Sequence, residues 1–272
     1  MCRIMCLKWT NTGKASEYLD AFFKAGENDP YMEKIVEFLE IPKLKNQHIH
    51  GWGYILVTAN TIHHYANGEF FLEDTLWKDK LKNIVSELKW EFLLMIELRV
   101  TDEWYVSAFN SHPFHFLSRN GYEGYLFYNG LLDYEKLAEY EEIDYSHYKT
   151  KNGTTLMGIS IANALERWKS MSEAIDEPKK ALKSAYNLMM FYRNNTGQYK
   201  ANIIAYITEK LCENKCVYQH NKLLKLQEED LLFVGSSAIE IYKPWDYIVM
   251  KNGEHLELDI DFVNEYYFDG YK

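Results

Sequence analysis

Hairpin-forming strands occupy both ends of this chain and helices its middle, and that order constrains the fold more than any other feature. Alternating strand and helix units would specify a parallel sheet. Strands, then helices, then strands specify antiparallel sheets in an α+β protein. Residues 2–9 (CRIMCLKW) and 51–59 (GWGYILVTA) read as strands, the second rich in aromatic and β-branched residues and bounded by glycine. Between them, 15–26 and 31–40 carry apolar residues at three- and four-residue intervals and read as helices. Asn67-Gly68 predicts a hairpin turn. A helix over 78–88 leads into a strand over 90–100 (WEFLLMIELRV), and 112–130 reads as two strands joined at Asn120-Gly121. Helices are predicted over 133–143, 154–168 and 177–193. Strands return over 200–208, 216–226, 231–242 and 246–258, the last folded at an Asn252-Gly253 hairpin. With no internal repeat and no Pro/Gly/Ser-rich linker, residues 1–272 read as a single domain.

At 47% hydrophobic and 16% aromatic, the chain can bury a substantial core, which excludes disorder. A formal net charge of −10 argues against a nucleic-acid backbone or an anionic membrane as partner. No stretch reaches the ~20 apolar residues of a membrane span. The strongest, 90–100, is interrupted by Glu91, Glu97 and Arg99. The N-terminus lacks the apolar region and small-residue cleavage site of a signal peptide, so the chain is expected in the cytoplasm with free thiols.

The four cysteines fall in two pairs, Cys2/Cys6 and Cys212/Cys216. Neither has the knuckle spacing or Gly-rich turns of structural zinc sites. His48 and His50 are expected to alternate on one strand face, with His63, His64, His112 and His115 near in sequence. Such scattered histidines are ordinary hydrogen-bonding residues more often than ligands, and no metal or cofactor is expected.

Cys2, directly behind Met1, admits two readings. It is a small buried residue of the first strand, or, once Met1 is removed, a nucleophile whose own α-amine is the base. The free amine has a pKa of about 7.7–8.0 against about 8.5 for the thiol. Arg99 closes the long apolar strand, where its charge would emerge into a cleft. The segment Asn110–Phe114 (NSHPF) follows, and Asn129-Gly130 comes directly after another strand.

In this order and spacing, Cys2, HGWG at 50–53, Arg99, NSHPF and Asn129-Gly130 resemble the class II glutamine amidotransferases. These are N-terminal-nucleophile hydrolases, and the likeness is to their small stand-alone members. The late FVGSSAIEIY segment (233–242) extends it over most of the chain. The resemblance implies a four-layer αββα sandwich of two antiparallel sheets flanked by helices. It makes Cys2 the nucleophile and its amine the base, and gives the oxyanion hole to the Asn129 side-chain amide and the Gly130 backbone N–H. Arg99 would hold the substrate carboxylate by a bidentate pair, with Thr101, Asp102 and His112 beside it.

Three departures bear on the substrate. Residues 99–105 (RVTDEWY) place Asp102 and Glu103 near the carboxylate clamp. The family's aspartate for the substrate α-amine has no counterpart between Lys149 and Ile159, and Asp144 lies too early. Asp102 and Glu103 are the candidates to replace it. The histidine two residues before the arginine is Glu97 here. The expectation is therefore an amide hydrolase acting on glutamine or a γ-glutamyl compound, with nucleophile and oxyanion hole intact and the clamp altered. Its ammonia would pass to a separate synthase subunit or be released. The alternatives are a degenerate amidotransferase-like domain that binds a partner or metabolite, and a cysteine-linked metal or redox protein.

Overall fold

Strand β1 (Arg3–Trp9) alternates between two apolar environments. Ile4 and Cys6 point to one, and Met5, Leu7 and Trp9 to the other. Successive strand side chains face opposite ways, so a strand apolar on both faces must be covered on both. The computed structural model describes residues 2–9, 15–39, 46–101, 106–149 and 151–263, with side chains omitted over 36–39. In it β1 lies inside a seven-stranded antiparallel sheet. The other members are β2 (Trp52–Val57), β3 (Ile62–Asn67), β4 (Phe92–Leu98), β9 (Leu223–Gln227), β10 (Leu231–Ser236) and β11 (Ile248–Val249), in the order β11-β9-β10-β1-β4-β2-β3. A second antiparallel sheet runs β12-β8-β7-β6-β5, built from β5 (Phe114–Leu117), β6 (Glu123–Leu132), β7 (Leu182–Arg193), β8 (Tyr199–Ala205) and β12 (Glu254–Asp259).

The two sheets pack face to face. Ile4, Ile55, Leu93 and Met95 of the first meet Phe127, Met189, Phe191 and Ile203 of the second. Helices α1 (Ala15–Glu27) and α3 (Thr75–Glu87) cover the outer face of the seven-stranded sheet. Helices α4 (Tyr134–Tyr140) and α5 (Thr154–Glu166) cover that of the five-stranded one. Four layers, αββα, result.

Several segments differ from their sequence reading. Residues 177–193 form a short 3-10 turn and then strand β7, not a helix. Leu188, Met189 and Met190 are helix-favouring by propensity, but the strand is central and buried on both faces, so packing overrides propensity. Residues 216–226 divide into helix α8 (Lys215–Asn221) and strand β9, because the Asn214 side chain caps the helix by accepting the Cys216 and Val217 amides. Residues 231–242 likewise end as helix α9 (Ile239–Tyr242). The β2–β3 turn closes at Thr58–Thr61. Asn67-Gly68 instead ends β3, where the Asn67 side chain accepts the Glu69 amide. Asn252-Gly253 is not a hairpin either, since β11 and β12 belong to different sheets. There Asn252 pins the crossing by pairing with the backbone N–H and C=O of Ile207. His48 and His50 precede β2 and share no strand face.

Behind the first residues of β1 lies a buried ion cluster. Arg3, wholly buried, donates through Nε to Asp29 Oδ2 (2.5 Å) and through Nη1 to the His220 carbonyl (2.6 Å). His48 Nε2 also meets Asp29 Oδ2, at 2.9 Å. Asp29 Oδ1 accepts the amides of Tyr31 and Met32, capping α2 (Pro30–Leu39). Burial alone would raise the Asp29 carboxyl, but the Arg3 charge and the bonds from His48 and Arg3 hold it well below its usual range. Removing one partner of such a pair leaves an uncompensated buried charge. Asp29→Ala is therefore expected to cost about 3–5 kcal/mol in denaturant unfolding. A loss under about 1 kcal/mol would show that Arg3 does not depend on Asp29.

Candidate active site

The period-two alternation that builds the core also builds the site. Cys2, Ile4 and Cys6 share one face of β1, and Leu93, Met95 and Glu97 one face of β4. On β6, Phe127 and Asn129 share the inner face. All three faces point into the space between the sheets, so one step beyond the apolar layer the inner positions become Cys2, Glu97 and Asn129. Asn129 and Gly130 lie within β6 and do not follow a strand end. They pair with Asn187 and Tyr186 of β7, after which the register shifts and Leu131 bulges outward.

Asn129 bridges the sheets. Its Oδ1 accepts the Cys2 backbone N–H at 2.9 Å, and its Nδ2 is buried with no hydrogen-bond partner. An unpaired buried donor is costly, and here it lies beside the candidate nucleophile. Gly130 cannot be replaced without displacing backbone, because a Cβ would lie 1.8 Å from the Ala185 carbonyl oxygen. The HGWG glycines have the same steric logic. A Cβ on Gly53 would lie 2.0 Å from the His112 carbonyl oxygen, and one on Gly51 2.3 Å from Ser111 Oγ. Those two glycines are what let the NSHPF segment settle against β2.

That packing delivers His112 to Glu97. His112 Nδ1 is 2.8 Å from Glu97 Oε1, and its Nε2 is 2.9 Å from Thr154 Oγ1. Glu97 is wholly buried, and among the described residues neither of its carboxylate oxygens has a hydrogen-bond partner. Burial raises its carboxyl to about 8, although the nearby Cys2 thiol and the Arg99 charge oppose the shift. Burial, then the Glu97 charge, pushes the Cys2 thiol up in turn, while the Val100 N–H draws it down. Burial and the Arg99 charge hold His112 well below its usual range, so its imidazole is neutral.

Over these groups opens a cavity of about 340 Å³. Cys2, Arg99, Thr101, His112 and Gly130 line it, whereas Asn129 is buried behind the lining and reaches the site through the Cys2 backbone. Asp102 lies outside the described residues, as does Glu103. Thr101 donates its backbone N–H to His50 Nδ1 (3.0 Å). Lys149 and residues 151–154, the stretch that would carry the family's amine-binding aspartate, also line the cavity. Asn152 ties this stretch to NSHPF through both the Oδ1 and the backbone carbonyl of Asn110. Asp144 is exposed and caps the 3-10 turn at Tyr145–Tyr148, outside the cavity. The cysteines do not converge as a zinc site. Cys2 and Cys6 are buried in or beside β1, Cys212 and Cys216 are half-buried, and all four are free. Among the described residues no group of three or more His, Cys, Asp or Glu could hold a metal ion, and no helix is long and apolar enough to cross a membrane. Sequence reading missed Glu97 as a neighbour of the thiol. Its signal was an acid at an inner position of an otherwise apolar strand.

No protein-family model and no curated protein sequence matches this chain. Two solved structures share its fold. The allosteric regulatory enzyme of purine biosynthesis superposes with a TM-score of 0.60 at 13% identity. The glutamine phosphoribosylpyrophosphate amidotransferase of B. subtilis does so at 0.55, also at 13% identity. Each match covers 94% of this chain and 47% of the other, so the chain spans about half the length of these structures. The chain has the fold of these two structures. Cys2 directly precedes the central strand β1, and the cavity opens at that end.

The Glu97 carboxyl has a consequence for stability. Unfolded, it ionises near 4.5; folded, only at about 8. Between those values the folded chain holds the extra proton, so stability falls as pH rises, by up to about 1.4 kcal/mol per pH unit. Glu97→Gln is expected to remove this slope from thermal melts taken between about pH 5 and 8. A variant with the wild-type slope would show that Glu97 is already ionised in the fold.

Proposed function

We propose that the protein is an amide hydrolase of the glutamine amidotransferase kind, with Cys2 as its nucleophile and glutamine or a γ-glutamyl compound as substrate. The observation that carries this reading is the Asn129 bridge. One side chain accepts the Cys2 backbone N–H through Oδ1 and keeps a buried Nδ2 with no hydrogen-bond partner. A tetrahedral oxyanion formed by thiol attack would supply the missing acceptor, with the Gly130 N–H as second donor. Arg99, on the cavity wall, is the clamp for the substrate carboxylate. His112 and Thr101 shape the same wall, and Asp102 follows directly in sequence.

Attack gives a thioester and releases ammonia or an amine, and water then resolves the thioester. The wall expected to hold the α-amine presents Lys149 and Lys151, which favours an amide whose α-amine is absent or acylated. Ammonia passes to a separate acceptor subunit or is released. The thiol's raised pKa favours a second reading, a catalytically silent domain that binds a related metabolite.

Ammonia release from glutamine and a γ-glutamyl panel separates the two. Wild type is expected to turn over at least one compound and Cys2→Ala none. Asn129→Ala is expected to lower kcat by about 100–1000-fold. Equal inactivity of wild type and Cys2→Ala across the panel would eliminate the hydrolase reading.

A further inference from the structure

We propose that the substrate is an N-acylated glutamine whose acyl group ends in a second carboxylate, held by Lys149 and Lys151 while Arg99 takes the α-carboxylate. This rests on the amide-hydrolase reading and names the substrate class within it. The acyl group is that of a dicarboxylic acid and not of an acidic amino acid, because a further ammonium would meet the same two lysines.

The charge of the cavity carries the assignment. Among the described residues that line it, the charged side chains are Arg99, Lys149 and Lys151, and there is no carboxylate. The chain as a whole has a net charge of −10, so a cavity lined by cations reverses the sign of its surroundings. Asp144, the acid nearest the lysines in sequence, lies outside the cavity and meets His147 Nε2 at 3.5 Å. A free α-amine entering here would face two ammonium groups. A neutral acyl group would remove that repulsion but leave the lysines unmatched, and an acyl carboxylate answers both.

The lysines flank a stretch that is held firmly against the site. Asn152 is bonded to Asn110 twice, and His112 Nε2 lies 2.9 Å from Thr154 Oγ1. Gly153 lets the Tyr134 ring pack directly on the chain, since a Cβ there would lie 1.8 Å from Tyr134 Cε1. Lys149 and Lys151 themselves are exposed, so their heads reach the mouth of the cavity while the backbone between them and α5 stays fixed. A group bound there is the far end of a substrate whose amide lies deeper, at Cys2. Helix α5 starts at the same place with no acid in its first turn, and its positive end reinforces the lysines. A cavity of about 340 Å³ falls in the roughly 300–1,000 Å³ range of ligand pockets, which leaves room for an acyl arm on glutamine.

The test is ammonia release at low ionic strength from glutamine, N-acetylglutamine, N-succinylglutamine and the methyl ester of the succinyl arm. Wild type is expected to favour N-succinylglutamine over the acetyl compound and the ester by about 5–10-fold in kcat/KM, as befits two solvated ion pairs. The preference should shrink in about 1 M salt. Lys149→Gln/Lys151→Gln should abolish it and Lys149→Arg/Lys151→Arg retain it, with thermal melts establishing that both variants are folded. Equal kcat/KM for the succinyl and acetyl compounds in wild type, or a preference that survives in the glutamine double variant, would overturn the proposal. So would glutamine as the best substrate, since an acid must then hold its amine. Calorimetry with Cys2→Ala keeps the two readings apart. If no amide is turned over yet N-succinylglutamine binds Cys2→Ala and the added lysine substitutions abolish binding, the hydrolase reading falls and the anion site stands. If amides are hydrolysed with no succinyl preference, the reverse holds.

Discussion

Face-to-face packing of two sheets is the constraint on which everything else depends. Ile4, Leu93 and Met95 on one side and Phe127, Met189 and Phe191 on the other fix the separation and register of the inner faces. Each strand continues its alternation beyond the apolar layer, so the next inner positions have no choice of direction. Cys2, Glu97 and Asn129 converge because Ile4, Met95 and Phe127 are packed two residues away. A one-residue slip in β1 would turn Cys2 to the helix side and bring Arg3 into the site. The Arg3–Asp29 pair opposes that slip, since a buried guanidinium tolerates no move away from its carboxylate.

Electrostatics in this dry end of the sandwich follows from burial more than from pairing. Glu97 and Cys2 both hold their protons more tightly than in water, and His112 stays neutral although it touches an acid. Arg99, close by, offsets the developing negative charge of either the thiolate or the carboxylate. This end of the sandwich therefore combines a reluctant thiol at the cavity with a buried acid whose carboxyl is raised and a buried, unsatisfied amide donor behind it, a combination that suits reaction better than stability.

Much of this was legible in sequence, and the misses have physical causes. The strands at both ends and the Asn120-Gly121 hairpin follow from local pattern, and Cys2, Arg99, His112 and Gly130, grouped in the sequence by the family resemblance, line one cavity. Strand β7 was read as a helix because a central strand buried on both faces shows no alternation, and Leu and Met then mimic a helix. Helix α8 was hidden because one capping side chain, Asn214, sets its start. Glu97 was visible only as a departure, since no sequence pattern states that an acid on β4 faces a thiol on β1. The glycines of HGWG explain themselves only once the His112 and Ser111 backbone is seen lying against them.

The central claim is that Cys2, among four free thiols, is the group that attacks a glutamine-like amide. Labelling with a diazoketone analogue of glutamine, read by intact mass and peptide mapping, tests it most directly. The account predicts a single adduct on Cys2, blocked by excess substrate, with Cys6, Cys212 and Cys216 unmodified. An adduct on any of those three, or none at saturating analogue, would contradict it.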